Sequence, residues 1–255
     1  MKLKIISVLA AFLMLPLAAS AQLHVLISGG FSGPYEQLLP QFERNTGIKV
    51  TTSSGASQGT GPQTIKAQLG RGVPADVVIL SREGLSELIA SGKIAASTDV
   101  DLAMTPLGVA VRTGAAKPDV STVDALKRLM TQSKLVAVPG STSGIFLRDE
   151  ILPKLGLVGR VNLKLTPRGS GATDMVASGE ADIAVMPVSE IVHAKGVEMV
   201  GVIAEEIQLN QVFAAAMTAD AKQVDAAKRL IAHLTAASAS AAIRNGGMVP
   251  LSKHH

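Results

Sequence analysis

Cysteine and tryptophan are absent from this chain of 255 residues, and its aromatic side chains amount to one tyrosine and five phenylalanines. Without cysteine there can be no disulfide, no thiolate nucleophile and no cysteine-ligated zinc. With so few rings the core has to be aliphatic, and platforms on which nucleobases could stack are almost missing. An excess of one charge is missing too: 24 Lys and Arg stand against 20 Asp and Glu. No basic run is long enough to follow a phosphate backbone, so nucleic acid is not an expected partner. The histidines outside the leader described below are His24, His193, His233, His254 and His255. None pairs with a second histidine and a carboxylate at metal-ligand spacing, so neither a metal nor a cofactor is expected.

Long apolar runs are confined to the start. Lys2 and Lys4 precede an apolar stretch from Ile5 to Leu17, broken at Pro16. Ala19-Ser20-Ala21 then has the small-x-small form of a cleavage site. Residues 1–21 read as a secretory signal, which places the mature chain, from near Gln22, in the periplasm. An exported chain without disulfides needs a sizeable core, and an apolar content of 47 % supplies one.

Beyond the leader, short β-rich runs alternate with helical patterns. Strands are expected at Leu23–Ser28, Ile48–Thr52, Val77–Leu80, Leu107–Arg112, Leu135–Val138, Val161–Leu165, Ile183–Val185 and Val212–Met217. Helices are expected between them, including one with Pro62 in its first turn and one over Gly144–Leu155. The β-α-β order predicts an α/β fold of two doubly wound lobes. Residues 22–103 together with 205–255 would form one lobe, and 104–204 the other. Crossings near Met104–Gly108 and Ile203–Val212 would make a two-strand hinge, with the ligand in the cleft between the lobes.

Four segments rich in Gly, Ser and Thr fall where strands end and helices begin. They are Ser28-Gly29-Gly30-Phe31-Ser32-Gly33, Ser53 to Gly61, Pro139-Gly140-Ser141-Thr142-Ser143-Gly144, and Arg168-Gly169-Ser170-Gly171. Helix starts expose unpaired N–H donors and a partial positive charge, so four of them converging predict a site for a small anion. The first segment lacks the dinucleotide fingerprint, and Ser141 and Ser143 lack a nucleophile elbow. Asp99, Asp101, Glu205 and Glu206 read as exposed hinge-region loops rather than a calcium cluster. The methionines at 104, 130, 175, 186 and 217 read as flexible aliphatic filling.

The order of segments resembles the periplasmic molybdate-binding family, a branch of the type II solute-binding proteins. The resemblance runs over nearly the whole mature chain. It is carried by Phe42-Glu43-Arg44-Asn45-Thr46-Gly47, Gly72-Val73-Pro74-Ala75-Asp76-Val77, Ser143-Gly144-Ile145-Phe146, Lys154-Leu155-Gly156, Gly179-Glu180-Ala181-Asp182-Ile183 and Lys195-Gly196-Val197. It implies a type II periplasmic binding architecture and a tetrahedral oxyanion held by hydroxyls, backbone N–H groups and a tyrosine. Projected onto this chain, the ligand positions are Ser28, Gly30, Phe31 and Ser32; Ser57 and Thr60; Ser143; Arg168, Gly169 and Ser170; and Met186, where the family has its tyrosine.

Several of these positions depart from the family. Hydroxyls are lost and Arg168 is gained. Arginine grips a carboxylate in a two-pronged geometry, so the departures suit an organic carboxylate, and the resemblance to the wider family implies a small polycarboxylate such as aconitate. Lys66, Arg82 and Arg148 would add charge if they faced the cleft. The wider family is also similar to aconitate isomerase, an exported enzyme that shifts an allylic proton within a tricarboxylate. That reaction needs a base near a carbon acid and cationic support for the enolate-like charge. The base stays unassigned: Lys66, Glu36 and Tyr35 lie near the first two segments. Three functions therefore stand: a polycarboxylate receptor, an aconitate isomerase using the same cleft, and a molybdate or tungstate receptor for an importer. A monomer is expected, with a membrane permease as the partner in the receptor readings.

Overall fold

Apolar residues in unbroken succession, as in Val77-Val78-Ile79-Leu80, bury both faces of a strand and favour a sheet covered by helices on either side. The computed structural model describes residues 22–251, so the leader and the Lys253-His254-His255 tail lie outside it. Eleven strands occur among the described residues: β1 Leu23–Ile27, β2 Val50–Ser54, β3 Val77–Ser81, β4 Val100–Thr105, β5 Leu107–Arg112, β6 Val136–Pro139, β7 Leu163–Thr166, β8 Ile183–Pro187, β9 Val197–Val202, β10 Gln211–Met217 and β11 Val249–Pro250.

They form two sheets. The first has the order β11-β4-β10-β3-β1-β2, and the second β7-β6-β8-β5-β9. β1 runs parallel to both β2 and β3, whereas β10 lies antiparallel between β3 and β4. The second sheet repeats the scheme, with β6 parallel to β7 and β8, and β5 antiparallel to β8 and β9. Parallel neighbours are joined through helices, and the antiparallel strands are those that carry the chain between sheets.

Sheet membership changes at Pro106, which alone separates β4 from β5, and again between Val202 and Gln211. One side chain ties these two crossings together. Gln208 Oε1 accepts from Leu107 N at 2.6 Å, and its Nε2 donates to the carbonyls of Leu107 and Ile203 at 3.1 Å each.

Four of the few aromatic residues, Phe31, Tyr35, Phe42 and Phe213, pack into one cluster under the first sheet. The Ser32–Thr46 helix supplies two of them, burying Tyr35, Leu38 and Phe42 at helical spacing before it stops at Gly47 in the left-handed region. The second sheet packs against Leu126, Met130, Leu147, Ile151 and Leu152, with no buried aromatic ring.

Some details differ from the sequence expectation. Pro62 lies ahead of its helix, which begins at Ile65 behind Thr64, whose hydroxyl caps Ala67 N. The helix expected at Gly144–Leu155 contains a wider, π-type turn at Leu147–Ile151, next to Pro153, which has no N–H to give the preceding turn. Strands β4, β9 and β11 were not expected. Asp101 interrupts the apolar run of the first, and Glu198 and Gly201 interrupt the second. The third is only two residues long.

The Gly-x-Pro-Ala-Asp-Val motif has a structural explanation. Asp76 is 3 % exposed and accepts backbone N–H bonds from His24 at 2.9 Å, Lys222 at 2.7 Å and Gln223 at 3.0 Å. It thereby fixes β1 to the start of the Val224–Thr235 helix. Replacing Asp76 with Ala strands three donors, each worth about 1.5–3 kcal/mol when bonded to a charge. The expected outcome is a loss of about 3 kcal/mol or more in urea unfolding at neutral pH. A loss under about 1 kcal/mol would contradict this role.

Candidate functional site

The carboxyl ends of β1, β2, β6, β7 and β8 open onto one cavity of about 430 Å³ between the two sheets. In open α/β sheets this is where backbone donors and helix starts become available to a ligand. The wall contains Ser28, Gly30, Ser32, Ser57, Ser143, Arg168, Gly169 and Ser170, eight positions the sequence analysis singled out.

Three substantial helices begin at this wall. One starts at Ser32, continuing the short turn Gly29–Phe31; another starts at Thr142 and a third at Gly169. None has its first turn capped by the side chain of the residue before it. Three helices beginning elsewhere are capped: Thr64, Ser81 and Thr122 each accept from a backbone N–H three residues on, at 3.1, 3.2 and 3.1 Å. The three helix starts at the cavity lack such a cap and so leave donors open there, as those at Val224 and Ser240 do elsewhere.

Unpartnered side chains point the same way. Four buried side-chain polar atoms among the described residues lack a hydrogen-bond partner: Ser28 Oγ, Ser189 Oγ, Gln211 Oε1 and Glu83 Oε2. The first three belong to cavity-lining residues, each less than a tenth exposed. Buried polar groups are normally paired, because an unpaired one costs about 1–3 kcal/mol. Arg168 adds positive charge. It is exposed at the cavity wall and makes no ion pair within the chain among the described residues.

The walls touch on both sides of the cavity. On one side Gln58 N donates to Ser141 Oγ at 3.2 Å, and Thr142 Oγ1 donates to Gln58 Oε1 at 2.8 Å. Ser81 Oγ lies 2.8 Å from the same Thr142 hydroxyl. On the other side His193 Nε2 sits 3.0 Å from the Asn245 carbonyl, and Ser189 N donates to Thr105 Oγ1 at 3.3 Å.

Other expected positions lie elsewhere. Phe31 is fully buried in the aromatic cluster, because the turn that exposes Ser32 rotates Phe31 inward. Thr60 is exposed on the loop beyond Ser57 and does not line the cavity. Met186 is fully buried beneath Gly169, its methyl group 3.0 Å from where a Cβ on that glycine would sit. It is floor packing rather than wall. Lys66 pairs with Glu87 at 3.2 Å, Arg148 with Asp149 at 2.6 Å, and Arg82 with Asp99 and Asp101. None of these three cations lines the cavity. Tyr35 hydrogen-bonds Thr52 at 2.7 Å, and burial pushes its hydroxyl up to about 12. Glu36 reaches only the exposed rim.

Sequence reasoning missed Ser189, Glu190 and Gln211. The available signal was a polar Ser-Glu pair immediately after the buried run Ile183–Pro187, at the start of the short helix Val188–Ile191. Gln211 gives no such signal, since it opens β10 just after the chain returns between sheets.

Glu190 has the most perturbed acid in the cavity. Its Oε2 occupies space left by two glycines from opposite walls. A Cβ on Gly29 would lie 2.5 Å from that oxygen, and one on Gly169 would collide with it outright. The residue keeps some contact with solvent through the cavity, yet its carboxyl is surrounded by protein. Burial raises its pKa from the ordinary carboxylate value to about 7, with the nearby Arg168 charge opposing the shift.

Among the described residues, no three His, Asp or Glu side chains gather as metal ligands, and no helix is long and apolar enough to cross a membrane.

Because the folded pKa of Glu190 lies above the unfolded value, the folded state holds the proton more tightly. Stability is therefore lost as pH rises from about 4.5 and the loss is complete above about 7. Glu190→Gln should abolish that slope and stabilise the ligand-free protein at pH 8 by about 1–3 kcal/mol. Melting temperatures measured from pH 5 to 8 check this, and parallel curves for the two proteins would contradict it.

The comparisons agree with this geometry. Residues 23–249 match the family model of the bacterial extracellular solute-binding proteins. The chain is 34 % identical over 232 residues to an aconitate isomerase from a Pseudomonas species, covering 90 % of this chain and 88 % of that one. It is 26 % identical over 198 residues to the molybdate-binding protein of Azotobacter vinelandii, covering 74 % and 73 %. The solved periplasmic molybdate-binding protein of that organism superposes with a TM-score of 0.66 at 21 % identity, covering 89 % of this chain and 99 % of that one. With its fold and its sequence concordant, the chain belongs to the bacterial extracellular solute-binding proteins, in their molybdate-binding-like, type II branch.

Proposed function

We propose that this protein is an exported isomerase of a small unsaturated polycarboxylate of the aconitate kind, built on a solute-binding fold. The leader 1–21 would be removed on export to the periplasm. The halves 22–103 with 205–255, and 104–204, would act as lobes that close on the ligand about the crossings held by Gln208.

The observation that carries the reading is the set of unspent polar groups. Ser28, Ser189 and Gln211 are buried without partners in a cavity where uncapped helix starts and the unpaired Arg168 offer further donors. A ligand with several carboxylates can use the hydroxyls of Ser28 and Ser189, the open N–H groups and Arg168, whereas the Gln211 amide oxygen, an acceptor, calls for a donor such as a bridging water. Arg168 takes one carboxylate in a fork, and hydroxyls and N–H groups take the others. The 34 % identity to an aconitate isomerase supports the substrate class.

The chemistry follows from that arrangement. A C–H bond of the methylene group breaks, its proton leaves, and its electron pair spreads through the adjacent double bond into a carboxylate. The proton then returns at the far carbon and the double bond has shifted. No oxidant, reductant or co-substrate is consumed. The barrier lies in the charge that develops on the carboxylate oxygens, and donors fixed in place before reaction lower it most effectively. Closure excludes water and strengthens each contact.

The receptor reading remains testable with the same protein, because the 26 % identical relative is a molybdate-binding protein and its solved structure shares this fold. A receptor would hand its ligand to a membrane permease.

Thermal shifts against cis-aconitate, trans-aconitate, citrate and molybdate should show stabilisation by the tricarboxylates. The ultraviolet absorbance of either aconitate should drift to one common equilibrium value with enzyme present. Stabilisation by molybdate alone would end this reading. Arg168→Ala should weaken tricarboxylate binding about 10- to 100-fold, in line with about 1.5–3 kcal/mol for a hydrogen bond to a charge. Isothermal titration measures it, and unchanged affinity would remove Arg168 from the site.

A further inference from the structure

We propose that Glu190 is the catalytic residue that takes the proton from the methylene carbon of the bound polycarboxylate and returns it to the other end of the shifted double bond. The inference rests on the isomerase reading above and adds the group that performs the step.

An allylic proton shift needs an acid–base side chain on the inner wall, within reach of the ligand. The titratable residues of the cavity are Glu36, Arg168, Asp174, Glu190, His193 and Lys195. Glu36, Asp174, His193 and Lys195 are all exposed, and His193 also engages the Asn245 carbonyl. Arg168 offers only N–H donors and so can stabilise charge but not accept a proton. Tyr35 lies outside the wall, bonded to Thr52. Glu190 alone combines an inner position with a group able to accept and give a proton.

Its placement is built into the backbone. The Glu190 oxygen lies against Gly29 on one wall and Gly169 on the other, where any larger residue would displace it. These glycines begin two of the turns whose N–H groups face the cavity. The carboxyl therefore stands between the positions where ligand carboxylates would be held, beside the carbons that join them. Among the described residues it forms no ion pair with any Lys, Arg or His within 4.0 Å. A carboxyl kept for structure would be bonded, as Asp76 is.

A site made only to hold a fully ionised anion gains nothing from an acid among its donors, since like charges repel. A site that moves a proton requires one. The ionised carboxylate accepts the proton from carbon and becomes neutral. The negative charge passes to the ligand, opposite Arg168 and the cavity hydroxyls. Reprotonation of the far carbon restores the Glu190 carboxylate, so protons and charge balance without another reactant. Burial of Glu190 brings its pKa to about 7, where both forms are populated at neutral pH.

The test compares the full chain with Glu190→Gln and Glu190→Asp, using trans-aconitate as the probe. Calorimetry gives binding, ultraviolet absorbance gives turnover, and thermal melting verifies folding. The expected result for Glu190→Gln is a Kd within tenfold of the parent protein and a kcat at least 1000-fold lower. Glu190→Asp keeps a carboxyl and should recover part of the rate. In the parent protein kcat/KM should rise with pH through an apparent pKa near 7, and Glu190→Gln should lose that limb. Should the glutamine variant fail to fold, the aspartate variant decides: a retained limb at reduced rate supports the role. Glu190→Gln turning over within tenfold of the parent would overturn the assignment while leaving the isomerase reading intact. A parent protein that binds trans-aconitate and never converts it would overturn the isomerase reading itself, and this role with it.

Discussion

A binding site made from helix starts works only if the chain declines to fill it. In this protein the Ser32, Thr142 and Gly169 helices begin at the cavity without a side-chain cap, whereas Thr64, Ser81 and Thr122 cap helices elsewhere. Orphan N–H groups that carry a fraction of positive charge then gather around one small volume. Unpaired side-chain groups join them: the hydroxyls of Ser28 and Ser189, and the Gln211 amide oxygen as an acceptor. The fold tolerates this because the deficit is local and both sheets have large apolar cores to offset it.

The two halves depend on that shared deficit for their relation to each other. Each sheet has its own core, and the covalent links are Pro106 and the short return around Gln208. Hydrogen bonds across the cavity run through Gln58, Ser81, Ser141 and Thr142 on one side and through Ser189 with Thr105 and His193 with Asn245 on the other, where Val188 and Val192 also lie beside Gly247. Hydrogen bonds of this kind are worth little beyond their exchange with water, so under the proposed function a ligand that satisfies donors from both walls would favour closure. Proline stands at one crossing, and a fourfold-bonded glutamine holds the other.

A buried carboxyl in such a place is a local conflict. Glu190 stands between Gly29 and Gly169, among groups otherwise arranged to attract negative charge, and its environment resists ionisation. Conflicts of this sort are expected where a site performs chemistry rather than merely holding a ligand, because stability is sacrificed there for a poised proton. The neutral dipoles of an oxyanion receptor would not need it. Under the proposed function, Glu190 after β8 is the side chain that would separate the two uses of one fold.

Alternating apolar runs and their punctuation already determined the α/β order, most strands, and the segments Ser28 to Gly33, Pro139 to Gly144 and Arg168 to Gly171 as places where helices begin. Local propensity decides those features, so they are legible along the chain. Strands β4 and β9 were obscured because Asp101, Glu198 and Gly201 are tolerated only by their neighbours in the sheets. The inward turn of Phe31, the burial of Met186 and the diversion of Lys66 and Arg82 into ion pairs required partners distant in sequence, whereas Arg148 pairs with the adjacent Asp149. Glu190 and Gln211 are the clearest instance. Only the Ser-Glu pair after the buried run Ile183–Pro187 hints at the first and nothing nearby marks the second, because only the meeting of two sheets removes the solvent that would have left them ordinary.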